Sequence, residues 1–380
     1  MTSPLASEAA PFGRVLTAMV TPFTPEGDLD LDAAQRLATH LVDHGNDGIV
    51  VSGTTGESPT TTGEEDARLL AAVLEAVGDR ATIVAGVGTN DTRHSVELAQ
   101  SAAKTGAHGL LVVTPYYSKP PQAGIVRHVH EVAAAGGDVP VMFYDHPGRS
   151  GTTIAESTYV ELRRNPLVVA VKDAVGDLER GAYLMRETGI RLYSGDDALT
   201  LGWMAYGASG VVSTCGNITA QPWADMFAAL DAGDLGEARR INDRMIPLVR
   251  AIMTLTQGVI AAKAALQLLG VLDNRTTRAP LVDATEDEVA SHRGHPRLPP
   301  ARPAGAGRYH LDRSERIPVQ PADQGKTAAS GAQRQTTCAG GAGCRSGRSA
   351  GRRHHCHQHG RSRYRHRAGR QHRQGPQRRT

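Results

Sequence analysis

The chain has 380 residues, 40% of them hydrophobic, and a formal net charge of +3, a size that admits one large α/β domain with a substantial core. The near-balance of charge hides two parts of opposite sign: residues 293–380 hold 20 basic and 3 acidic residues, leaving 22 and 36 in residues 1–292, for formal charges of +17 and −14. Of the four cysteines only Cys215 lies outside the basic segment, which excludes a disulfide framework for the globular part.

The N-terminal residues MTSPLASEAAPFGR carry no basic stretch followed by an apolar run, and no apolar window of membrane-spanning length follows. A soluble cytoplasmic protein without membrane contact is expected. Residues 1–11 read as an arm. From residue 15, short β-branched runs alternate with amphipathic helical stretches. The strand candidates are VLTAMVTPF (15–23), GIVVSGTTG (48–56), ATIVAGVG (81–88), GLLVVTPYY (109–117), VPVMFYD (139–145), VVAVKD (168–173), IRLYSGD (190–196) and GVVSTCG (210–216). Eight βα units over residues 12–233 predict a (β/α)8 TIM barrel, with an open doubly wound sheet as the alternative; no G-x-G-x-x-G follows the first strand, which favours the barrel. In DTRHSVELAQSAAKTG, Asp91 or Thr92 can cap a helix start and Gly106 its end.

Residues 234–290 read as a C-terminal helical extension, with helices at 235–255 and 259–272 and a third announced by the capping-box form T-E-D-E from Thr285. It stops almost at once. Residues 291–380, rich in Arg, Gly and His, hold too few branched apolar residues for a core and predict a disordered tail, or a change of reading frame. Nucleic-acid attraction by this +17 segment is unspecific, and a nucleic-acid-binding protein acting through the tail is the alternative of another class. His354, His355, Cys356, His357 and His359 lack the paired spacing of a structural zinc site.

A barrel does its chemistry at the C-terminal ends of its strands. There the sequence offers Thr54 and Thr55, Tyr116 and Tyr117, Tyr144 with Arg149 beyond it, Lys172, and Gly195-Asp196-Asp197. Lys172 stands in an apolar strand, where desolvation disfavours its ammonium form and exposes an amine able to attack a ketone; a buried ion pair with Asp173 or another carboxylate is the alternative. The SGTTGES turn (52–58) offers hydroxyls and amides suited to a small carboxylate, or is an ordinary polar loop. Arg149 can clamp a second carboxylate or form a surface salt bridge. Asp196 and Asp197 read as loop hydrogen-bonding groups, and Cys215 as a space-filling residue.

The motifs GTTGES, VTPYYSKPPQ, FYDHPGRSG, VVAVKDAVGD and LYSGDDAL, in this order, resemble those of the dihydrodipicolinate synthase family over roughly residues 12–290. The resemblance implies a pyruvate-dependent class I aldolase that condenses pyruvate with aspartate 4-semialdehyde in lysine and diaminopimelate biosynthesis. It further implies that Lys172 forms the imine, that Thr55, Tyr144 and Tyr117 relay protons, and that Thr54 and Thr55 hold the pyruvate carboxylate. Arg149 would hold the aldehyde's carboxylate, while Gly195 and the Val212 backbone would line the pocket. No metal or organic cofactor is implied. Tyr117 would enter a neighbouring subunit's site, implying a homotetramer built as a dimer of dimers. Asp145-His146 departs from the Asn-Val common in the family. A sister activity, N-acetylneuraminate or 2-keto-3-deoxy-sugar-acid lyase, would share Lys172 and Tyr144; Arg149 argues for the acid aldehyde.

Overall fold

The computed structural model describes residues 9–293. The expectations for the tail beyond, including its disorder and its His/Cys cluster, lie outside the described residues.

Eight parallel strands close into a barrel in chain order. They are β1 (Val15–Ala18), β2 (Gly48–Val51), β3 (Thr82–Gly86), β4 (Gly109–Val113), β5 (Val141–Asp145), β6 (Val168–Asp173), β7 (Arg191–Ser194) and β8 (Gly210–Ser213). The ring closes by pairing β8 with β1, Leu16 opposite Val212. Except in β5 and β6, which run to the ends of their sequence runs, the last residues of each run leave the ladder as the loops that build the site. Val, Ile and Leu on both faces follow from burial on both sides. Ile49, Ile83, Val112 and Phe143 face the helices, and Val50, Val84, Leu111 and Met142 fill the interior.

Phe12 plugs the N-terminal end. It is fully buried, its amide donates to Tyr193 Oη at 3.2 Å, and a Cβ at Gly109 would lie 2.4 Å from its ring. Asn217 fastens the other end of the seam, donating to the carbonyls of Ala18 and Thr214 and accepting from the amide of Val20.

One irregularity governs the site. Between β5 and β6 the register shifts, from Val141 opposite Val168 to Met142 opposite Ala170. Val168 faces the helices, whereas Val169 and Ala170 both pack toward the interior. The extra residue is a β-bulge, and it inverts the alternation beyond it. Val171 therefore faces out and Lys172 faces in, opposite Tyr144.

Helix boundaries follow their local chemistry. Helix Thr92–Thr105 begins with the Asp91 carboxylate accepting from Arg93 N and ends at Gly106 with φ +103°, as its sequence announces. The extension comprises helices Leu235–Thr254, Gly258–Leu268 and Glu286–Arg293. The second ends at Leu268, short of the expected 272. The third continues past Ala290 to Arg293, and Thr285 Oγ1 accepts from Glu288 N while Glu288 returns to Thr285 N at 2.8 Å, forming the capping box.

Candidate active site

The C-terminal mouth encloses a cavity of about 190 Å3, lined among others by Ser52, Thr54, Tyr116, Tyr144 and Arg149. Tyr144 borders it from β5, and Lys172 stands beside Tyr144 across the β5–β6 ladder. The Lys172 Nζ lies 4.5 Å from the Tyr144 ring centroid, in reach of a cation–π attraction when charged. Asp173 points the other way and accepts the amides of Val175 and Gly176 at 3.0 and 3.1 Å. The alternative of an ion pair between Lys172 and Asp173 is not realised. Burial pulls Lys172 down to about 7, the Arg149 guanidinium adds to the fall, and Asp197 opposes it. Near neutral pH a large fraction of this amine is free to act as a nucleophile.

Arg149 stands at the exposed rim, in the short helix Pro147–Ser150 that Pro147 begins, and its Nη1 donates to Tyr144 Oη at 3.3 Å. Burial pushes the Tyr144 phenol up, and Arg149 works against that rise. Tyr144 remains protonated, able to donate a proton. The guanidinium keeps further donors for a ligand anion.

Thr54 and Thr55 sit in a tight turn beyond β2, where Gly56 N and Ser58 N donate to Gly53 O and Glu57 N donates to Thr54 O. Thr55 is buried, and its Oγ1 lies 3.3 Å from Thr214 Oγ1 on the loop after β8. Asp197 secures that loop. Its carboxylate accepts from Ser213 Oγ and from the amides of Thr214 and Cys215. Burial pushes the Asp197 carboxyl up against these bonds. Asp196 caps the turn with a bond from Ala198 N, so both aspartates serve the loop as expected. Cys215 is buried against Trp223 and Met226.

Gly195 lies against the lysine: an added Cβ would meet Asp173 O at 2.8 Å and Lys172 Cγ at 3.0 Å. Val212 is fully buried in the interior layer. Tyr117 differs. It is 88% exposed, with φ +69°, and the single chain does not bring it to Thr55 and Tyr144. His146, one of the departures, holds its ring 5.8 Å from that of Tyr144; burial pulls it down to about 4, with Arg149 and Lys172 adding to the fall, so the imidazole is neutral. Asp145 faces outward, accepts from Tyr159 Oη at 2.8 Å and lies 3.9 Å from Arg180.

Residues that the sequence did not single out complete the arrangement. Thr214 sits in an unremarkable STCG run, while Ser52, at the head of the expected SGTTGES turn, takes an unforeseen φ of +52°. What the site can do is clear from its parts: a lowered lysine amine, a phenol beside it, a hydroxyl-rich turn and a guanidinium at the rim suit a keto acid and a second anionic reactant.

The sequence profile of the Dihydrodipicolinate synthetase family matches residues 11–293. The chain belongs to this family. Among its relatives, the 4-hydroxy-tetrahydrodipicolinate synthase of Kineococcus radiotolerans is 57% identical over 290 residues, covering 76% of this chain and 94% of that protein. The crystal structure of the dihydrodipicolinate synthase of Cyanidioschyzon merolae with lysine bound superposes with a TM-score of 0.71 at 42% identity, over 74% of this chain and 96% of that one. The chloride-inhibited dihydrodipicolinate synthase of Acinetobacter baumannii complexed with pyruvate gives a TM-score of 0.71 at 32% identity, over 74% and 97%. The family match ends where the described residues end. The synthetase-family barrel and its helical extension thus account for the described chain from residue 11 onward. Among those residues no helix is long and apolar enough to cross a membrane.

Proposed function

We infer that this chain is a 4-hydroxy-tetrahydrodipicolinate synthase, a lyase of lysine and diaminopimelate biosynthesis that condenses pyruvate with L-aspartate 4-semialdehyde. The observation that carries the chemistry is Lys172, buried beside Tyr144 with no ion pair among the described residues and lowered to about 7.

The Lys172 amine attacks C2 of pyruvate, and loss of water leaves an imine. Loss of a C3 proton turns the imine into an enamine, whose C3 adds to the aldehyde carbon. Tyr144, with Thr55 and a Tyr117 from a neighbouring copy, serves the proton transfers; its phenol is held by Arg149. Thr54 and Thr55 receive the pyruvate carboxylate through hydroxyls and amides of the turn, and Gly195 and the Val212 backbone leave room beside the lysine. Arg149 pairs with the carboxylate of the semialdehyde, an anion that a neutral polyol substrate lacks. The exposure of Tyr117 in a single chain supports a homo-oligomer, a dimer of dimers, in which it enters a partner's site.

Borohydride reduction in the presence of pyruvate, followed by peptide mass spectrometry, tests the reading. One pyruvate-derived adduct on Lys172 is expected. Folded protein that stays unlabelled there, or carries the adduct on Lys104, Lys119 or Lys263 instead, would remove the mechanism.

A further inference from the structure

A second lysine is buried outside the chamber. Lys263, on helix Gly258–Leu268, is 1% exposed. Its Nζ donates to Glu57 Oε1 at 2.5 Å and to the Thr276 carbonyl at 2.6 Å. Glu57 Oε2 accepts the backbone amide of Arg278 at 2.9 Å. The Arg278 side chain returns to the same loop and the helix that follows it, donating to Thr60 O at 2.9 Å and pairing with Glu65 at 2.6 Å. Both cations lie 4.3 Å from the ring centroid of Phe23. An ion pair this deep carries a desolvation cost that only close hydrogen bonding offsets, so removing one partner strands the other.

What the pair holds is the turn. Glu57 takes φ +59° and Ser52 φ +52°, and these two left-handed non-glycine residues bracket Gly53-Thr54-Thr55-Gly56. A side chain other than Asn or Asp rarely adopts this conformation unless its surroundings impose it. Between Ser52 and Glu57 the Gly56 carbonyl is itself held, accepting from the Thr21 hydroxyl at 2.6 Å. At Glu57 the imposing groups are the Lys263 ammonium and the Arg278 amide, both from the C-terminal extension.

We propose that Glu57 and Lys263 are positioning residues, a buried strut that keeps Thr54 and Thr55 in the shape that receives the keto-acid carboxylate, so that the C-terminal extension sets pyruvate affinity. The proposal rests on the reading of this turn as the pyruvate carboxylate site. The strut touches the turn and neither Lys172 nor Arg149. Its loss therefore weakens one substrate selectively, whereas a merely structural pair would lower stability and leave the kinetics of the folded fraction alone.

Lys263→Met leaves a buried unpaired carboxylate and Glu57→Gly leaves the Lys263 ammonium on the Thr276 carbonyl alone, so either single variant is prone to unfold and the double variant is the deciding one. The double variant Glu57→Gln/Lys263→Met removes both charges, and Glu57→Gly removes the carboxylate while relieving the backbone at φ +59°. Steady-state kinetics for each substrate, beside thermal melting, are the measurements. The expected result in both variants is a KM for pyruvate raised about tenfold, the loss of well-placed hydrogen bonds to a charged group, with the KM for the semialdehyde little changed. A wild-type pyruvate KM in the double variant overturns the proposal, as does an equal loss for both substrates. Borohydride trapping of the wild-type enzyme is the reference. Failure to label Lys172 there counts against the functional reading, whereas a labelled wild type with kinetically unaltered variants counts against the strut alone.

Discussion

Lys172 and Tyr144 stand opposite each other on adjacent strands, the lysine Nζ 4.5 Å from the tyrosine ring centroid. The phenol is thus fixed beside the amine that reacts, and the protonation of that amine governs the first step. With burial and Arg149 holding Lys172 at about 7, the ammonium dominates below that pH and the nucleophilic amine above it. The rate of imine formation should rise with pH through a limb near 7. In Arg149→Ala the cation that lowers Lys172 is gone, so the limb should move to higher pH. Stopped-flow rates across pH 5.5–9, an interval of roughly two units around the expected limb, check both; a limb unmoved in Arg149→Ala would detach this residue from the lysine.

Arg149 should also divide the two half-reactions. Its guanidinium at the rim suits the carboxylate of the aldehyde, so Arg149→Ala should lower kcat/KM for aspartate semialdehyde by about 100-fold, the scale of a charge-assisted hydrogen bond. Pyruvate trapping at saturation and at a pH above the limb should be retained. Equal losses in the two assays would assign Arg149 to loop structure through its bond to Tyr144.

Gly195→Ala probes how tightly the lysine stem is held. The new methyl would meet Asp173 O at 2.8 Å and Lys172 Cγ at 3.0 Å, so the stem must shift. Displacement of a reacting atom by about 1 Å costs on the order of 100-fold in rate. A drop of that size in kcat, with Tm changed modestly, is the expected outcome. Unchanged turnover would show that the stem has slack.

Tyr117, exposed on its own chain, gives a test of assembly. Tyr117→Phe alone should lose about 100-fold or more in turnover, the usual contribution of a positioned proton-transfer group. Lys172→Ala should be inactive. When the two variants are unfolded and refolded together, sites with an intact lysine can receive an intact Tyr117 from the partner, and activity should return. No recovery from a mixture whose mass shows hetero-assembly would confine Tyr117 to its own chain.

The barrel was legible because burial on both faces leaves near-continuous Val, Ile and Leu runs, and the eight runs each contain an observed strand. The helix caps at Asp91, Gly106 and Thr285 were legible for a related reason, since capping is local chemistry. The Lys172 side chain was harder to orient. Strict alternation from the outward Val168 would turn it toward the helices, and nothing in VVAVKD marks Val169 as the extra residue. Lys263 was not legible at all: AAKAALQ reads as an apolar helix with two polar positions, and its partner Glu57 lies 206 residues away in the chain. Thr214 likewise acquires meaning only when barrel closure brings the loops after β2 and β8 together.

The bulge in β6 bears on which changes of chain length the gene can absorb. In an ordinary wall strand the loss of one codon turns every following side chain inside out. Here Val169 is a spare, and its deletion restores plain alternation while leaving Lys172 in the chamber and Asp173 outside. A one-codon insertion at the same place has no such reserve and would exchange the two, presenting a carboxylate to pyruvate. Strand β6 is therefore asymmetric toward mutation, forgiving a shortening that it would not forgive as a lengthening, and borohydride labelling of the two length variants reads that asymmetry directly.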